Sequence, residues 1–177
     1  AEIFPNSKKV IMEIGTGMGE ATAEIARNFP DTGFFALEVH RPGIGSLLAR
    51  INEFELQNLR LINEDARIVL NEHMPDQCLD AVHLYFPDPW QKLRHHKRRL
   101  LQGDFIQLLA TKLIPHCLLH IATDWAPYAQ WIQAEFEKVS EFVGGKVARP
   151  EHRPLTRFEE QGLTKEHEVT DFFYYKS

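Results

Sequence analysis

Short β-branched runs alternate with longer amphipathic stretches along nearly the whole chain, and that rhythm restricts the fold to an α/β architecture with parallel pairing. The pattern predicts strands over Val10–Ile14, Phe34–Val39, Leu59–Asn63, Ala81–Phe86, Leu118–Thr123 and Val169–Tyr175. Helices are expected over Glu20–Asn28, Ile44–Leu56, Asp65–Glu72, Phe105–Leu113 and Trp125–Val139. Right-handed crossovers then give a doubly wound, mostly parallel sheet whose ligands bind at the carboxyl ends of the strands. Glu151–Lys165 is polar, carries arginines and lacks periodicity.

The 177 residues suit one domain, 1–177, and the start without Met so near the first strand implies that a natural N-terminal extension is missing. A composition of 44% hydrophobic and 25% charged residues is that of a globular protein, and no apolar run approaches a membrane span. Cys78 and Cys117 have no partner thiol at redox or metal spacing, and no secretory leader is visible. A reduced, cytoplasmic protein is expected.

The net charge of −5 argues against a protein that coats nucleic acid indiscriminately. Its distribution says more. Lys92, Arg94, Lys97, Arg98 and Arg99 place five positive charges within eight residues of an otherwise acidic chain, and Arg149, Arg153 and Arg157 extend the stripe from the tail.

The first strand runs into Gly15-Thr16-Gly17-Met18-Gly19-Glu20, a glycine-rich strand-to-helix turn. A dinucleotide fingerprint requires glycine at the sixth position, where Glu20 stands, and a carboxylate there repels a pyrophosphate. Glu38, about 20 residues on, is placed to accept hydrogen bonds from both hydroxyls of a ribose, and Asp65 follows strand three where adenine would be met. Glu13 is an acid within an apolar strand, suited to a ligand ammonium. These residues resemble the cofactor site of class I S-adenosylmethionine-dependent methyltransferases, which implies a Rossmann-like fold with a seven-stranded sheet.

After strand four, Pro87-Asp88-Pro89-Trp90 presents a carboxylate from a stiffened loop directly before the basic run. With Ala122-Thr123-Asp124-Trp125-Ala126-Pro127-Tyr128-Ala129 and Arg153-Pro154-Leu155-Thr156-Arg157-Phe158-Glu159, this segment resembles the bacterial tRNA (guanine-N(7)-)-methyltransferase family over Val10–Tyr175. Glu166 before His167 departs from the family's Gly-His pattern. The resemblance implies methylation of guanine 46 in the tRNA variable loop, a cofactor pocket of Glu13, Gly15, Gly17, Gly19, Glu38, Asp65 and Asp88, and Asp88 as the catalytic residue. It implies that Lys92, Arg94, Asp124, Thr156, Arg157, Phe158 and Glu159 face the tRNA. No obligatory protein partner is expected, the protein being a monomer or homodimer.

Several readings stay open at this stage. Asp124 suits a helix N-cap or a ligand contact, and Trp90 and Trp125 suit packing or base stacking. A small-molecule methyltransferase and a non-catalytic RNA-binding module are the competing functions, separable by salt dependence and by cofactor titration. No metal is expected, because His95 and His96 are adjacent and His116 and His120 straddle a loop-to-strand junction.

Overall fold

The computed structural model describes residues 3–154 and 168–177. Seven strands form one sheet: β1 (Lys9–Ile14), β2 (Thr32–Leu37), β3 (Leu59–Ile62), β4 (Leu79–Tyr85), β5 (Leu113–Thr123), β6 (Phe142–Val147) and β7 (Thr170–Lys176). Their order is β3-β2-β1-β4-β5-β7-β6, with β7 antiparallel to both neighbours and the other pairs parallel. The crossovers carry helices α1 (Glu20–Asn28), α2 (Arg41–Glu53), α3 (Ala66–Ile68), α4 (Gly103–Lys112) and α5 (Ala126–Phe136).

Helices on both faces bury the central strands twice, which is why β1, β2 and β4 read as nearly continuous apolar runs. Met12, Leu84, Phe105 and Leu109 belong to the larger core and Phe34, Ala36, Leu47 and Tyr85 to the smaller. Strand order reverses between β1 and β4, and the crevice at their carboxyl ends is the place where such sheets hold ligands.

Several boundaries differ from the sequence reading. Helix α2 starts at Arg41 rather than Ile44 because Pro42 fits a first helical turn, where its missing N–H costs nothing. The expected Asp65–Glu72 helix is a short α3 continued by a π-helical turn, Val69–His73. Strand β5 begins at Leu113 instead of Leu118, its register with β4 shifting through an irregularity. Strand β6 was not anticipated: two glycines dilute its pattern, and it lies at the sheet edge.

Candidate active site

Gly15, Gly17 and Gly19 have φ of +77°, +56° and +74°, left-handed values that side chains resist. Helix α2 presses its Gly43 against this turn, where a Cβ would lie 2.2 Å from the Gly17 carbonyl oxygen. Glu38, immediately after β2, is buried and holds the turn from the other side. Its Oε2 accepts the Gly17 N–H at 2.6 Å, and Oε1 accepts the N–H groups of Val39 and His40, each at 2.8 Å. Three of the roughly four acceptor positions of a carboxylate are thus taken by backbone, leaving room for one further donor where two ribose hydroxyls were expected.

The glycine turn opens on a cavity of about 730 Å³, a volume suited to a nucleoside-sized ligand. Glu13, Glu20, Arg50, Asp88, Asp124 and Arg153 are its charged walls. Glu13 is buried, and desolvation, helped by the nearby Glu38 charge and opposed by the Thr22 hydroxyl, pushes its pKa up to about 7. Beside it the Thr16 hydroxyl oxygen is sealed from solvent without a hydrogen-bond partner among the described residues. Asp65 is elsewhere: it is exposed, and its Oδ1 accepts the Arg67 N–H at 2.8 Å as the N-cap of α3. Neither Glu38 nor Asp65 lines the cavity.

Asp88 enters the cavity from a constrained loop. Phe86 and Trp90, flanking Pro87-Asp88-Pro89, have φ of +51° and +42°, strained values for non-glycine residues. The basic run forms a 3-10 turn, Leu93–Arg98, preceded by Lys92; Lys92, Arg94, Lys97 and Arg98 are exposed and lie outside the cavity lining. Arg99 corrects the expectation of five outward charges. It is buried, with Nε donating to the Pro89 carbonyl at 2.8 Å and its guanidinium over the rings of Tyr128 and Trp131 at 5.0 and 4.7 Å.

Asp124 and Trp125 both line the cavity. Trp125, not Asp124, occupies the N-cap position of α5, and no side chain caps that helix, so the helix-cap reading of Asp124 fails. Trp90 lies outside the lining and stacks under the Arg98 guanidinium at 5.1 Å. Arg153 is likewise no surface charge: it is 1% exposed, and its Nε and Nη2 donate to the two carboxylate oxygens of Asp171, each at 2.8 Å.

Sequence reasoning missed one cluster. His83 on β4, His120 on β5 and His152 in the tail bring their ring nitrogens within 4.8 Å of one another. His116 and His120 both lie on β5, not across a loop junction. His120 meets the Tyr85 hydroxyl at 3.0 Å through Nδ1 and Asp171 at 2.7 Å through Nε2. The neutral tautomer that satisfies both donates Nε2–H to the carboxylate and accepts the phenol proton. Burial lowers the pKa of all three imidazoles, that of His83 to about 3, so they pack as neutral rings. The His83↔His120 pairing across β4 and β5 is invisible until strand register is known. The expected tRNA residues Thr156, Arg157, Phe158 and Glu159 lie outside the described residues.

The architecture is shared with an rRNA methylase from Streptococcus thermophilus (TM-score 0.65, 14% identity, covering 99% of this chain and 90% of that one). It is shared too with a precorrin-6y C5,15-methyltransferase from Geobacter metallireducens (TM-score 0.66, 16% identity, 99% and 84%). Sheet order and glycine turn define the class: this is a class I, Rossmann-like methyltransferase fold. A family model described as "Putative methyltransferase" matches residues 7–172. A tRNA (guanine-N(7)-)-methyltransferase of Nitrosomonas europaea is 50% identical over 175 residues, 97% of this chain and 78% of that one; one of Streptomyces avermitilis is 50% identical over 98% of this chain and 61% of its own length. The chain belongs to the tRNA (guanine-N(7)-)-methyltransferase family.

Proposed function

We propose that this protein transfers a methyl group from S-adenosylmethionine to N7 of guanine 46 in the variable loop of tRNA, in the cytoplasm. The observation that carries the site assignment is the entry of Asp88, on its strained loop, into the same cavity as Glu13 and the glycine turn. The cavity suits this cofactor on chemical grounds. Glu13 offers a buried carboxylate to an ammonium, Thr16 an unused hydroxyl, and the side-chain-free glycine turn a close approach for the ligand. Bound there, S-adenosylmethionine supplies a methyl group activated by a positively charged sulfur.

The protein's own tasks are then positional and electrostatic. N7 of guanine already carries a lone pair, so no base has to remove a proton before attack. Asp88 accepts hydrogen bonds from the N–H groups on the Watson–Crick edge, which leaves N7 uncovered and turns it toward the glycine turn. As methylation makes the purine cationic, the same carboxylate offsets the new charge without reorganising, because Pro87 and Pro89 hold it in place. Lys92, Arg94, Lys97 and Arg98 form the exposed face for tRNA phosphates, and the family resemblance adds Asp124, Thr156, Arg157, Phe158 and Glu159 as residues that face the tRNA.

Methyl transfer to unmodified tRNA transcripts, with the product nucleotide mapped, tests the proposal. Labelling at guanine 46 that vanishes from a transcript lacking that guanine is expected; equal labelling of both transcripts would overturn the position.

A further inference from the structure

Arg99 ends a run of basic residues that sequence alone assigns to RNA phosphates, yet it is 3% exposed and points inward. Its Nε donates to the carbonyl of Pro89, the residue after Asp88, at 2.8 Å. Its Nη2 lies 3.0 Å from His96 Nε2, and the guanidinium carbon lies 5.0 and 4.7 Å from the ring centres of Tyr128 and Trp131, both on α5. Those rings are anchored in turn: Trp131 Nε1 donates to the Leu101 carbonyl at 3.0 Å, and Tyr128 is wholly buried. At the other end, Gln102 Nε2 donates to the Arg99 carbonyl at 2.6 Å. Helix α5 starts two residues after Asp124, so one guanidinium joins the loop bearing Asp88 to the helix that follows Asp124.

We propose that Arg99 is a positioning residue for methyl transfer, acting through the Pro89 carbonyl to hold Asp88 in its strained loop, and that it makes no phosphate contact. This deepens the tRNA reading and rests on it. The chemistry selects arginine: a flat cation can lie over aromatic rings while its edge donates to a carbonyl, whereas a lysine ammonium has no plane to stack. Burial lowers the guanidinium pKa yet leaves it charged.

The test compares R99K and R99Q with K97Q, a change at an exposed member of the run. R99K and R99Q are expected to lower kcat on tRNA roughly 10- to 100-fold, the scale of a misplaced catalytic group. KM for tRNA, cofactor affinity and the slope of log(kcat/KM) against log[salt] should stay near wild type. K97Q should raise KM and reduce that slope by about one, the signature of one lost phosphate contact. A slope reduced by about one in R99Q, or an unchanged kcat, overturns the proposal. Because Arg99 variants could fail to fold, W131L removes one of the two rings that contact the guanidinium and keeps every charge; it should lower kcat with an unchanged salt slope, and an unaltered kcat counts against the strut. Amide hydrogen exchange over residues 86–91 needs no substrate. Faster exchange there in R99K, with the central strands as protected as before, is expected; unchanged exchange overturns the proposal even should wild-type protein prove inactive on tRNA, an outcome that would instead refute the proposed function.

Discussion

The Gly17 N–H donates to Glu38 Oε2 at 2.6 Å, joining the turn after β1 to the acid after β2. An acid whose position suggests ribose recognition is therefore also the fastening of the loop that shapes the cavity. Replacing it with the isosteric amide separates the two tasks. Glu38→Gln keeps an oxygen for Val39 and His40 but turns an NH2 toward the Gly17 N–H, setting donor against donor. Losing a charged, buried hydrogen bond costs about 1.5–3 kcal/mol. Calorimetric titration with S-adenosylmethionine should show affinity at least about tenfold weaker, together with a lowered melting temperature; wild-type affinity would show that the turn holds itself.

Gly43 and Gly45 make a controlled pair on one helix. A Cβ at Gly43 meets the Gly17 carbonyl oxygen at 2.2 Å, while one at Gly45 meets nothing within 4 Å. Gly43→Ala should push α2 away from the turn, weakening cofactor binding and lowering stability. Gly45→Ala should stabilise α2 by up to about 1 kcal/mol with binding unchanged. Thermal melts and cofactor titration of both variants provide the check, and equal behaviour would refute the packing argument.

Glu13 should make cofactor binding depend on pH. Its pKa in the folded protein is about 7, against 4.5 for an ordinary carboxyl group, so between those values the folded state keeps a proton that the unfolded state has lost. Its contribution to stability is therefore fullest below about pH 4.5 and is lost as pH rises to 7. A cationic ligand favours the ionised form, so affinity should rise from pH 6 to 8 with release of a proton, seen as a buffer-dependent binding enthalpy. Glu13→Gln should flatten that rise; an identical profile would place the ammonium elsewhere.

The histidine cluster has the opposite dependence. His83 titrates near 3 in the folded protein and near 6.5 when exposed, so acid protonates the unfolded chain first. Stability from this group is complete above about pH 6.5 and declines as pH falls toward 3. His83→Gln should reduce the slope of denaturation midpoint against pH between 6 and 4, and a slope as steep as wild type would contradict the buried, neutral assignment.

Asp171 and Arg153 form a buried bidentate pair, and removing one partner strands the other charge. Asp171→Asn should destabilise the protein by about 3–5 kcal/mol. Lys8→Ala, at an exposed pair with Asp31, should leave the melting temperature near wild type. Comparable losses in the two variants would show that burial is not what gives the Asp171 pair its weight.

What the sequence displayed was whatever is encoded locally. The β1 turn, the α1 boundaries and the Pro87–Trp90 loop come from runs of a few residues, and one cavity brings Glu13, the glycines, Asp88 and Asp124 together. What stayed hidden depends on partners far along the chain. Arg99 and Arg153 look like solvated charges until Tyr128, Trp131 and Asp171 are folded against them. Asp65 reads as a ligand contact from its place after β3, and the structure adds a second task, since its Oδ1 accepts the Arg67 N–H as the N-cap of α3.

Strand β7 has a consequence for biosynthesis. It lies between β5 and β6, although both precede it in the chain. A ribosome that has released residues through Val147 has therefore delivered two strands that cannot pair as they finally do, with the β5 edge open and His120 still lacking Asp171. Residues 170–176 close the sheet and supply the counter-charge for Arg153 in one event, so a nascent chain paused before that point presents an unpaired strand edge, the kind of surface that chaperones and neighbouring nascent chains engage.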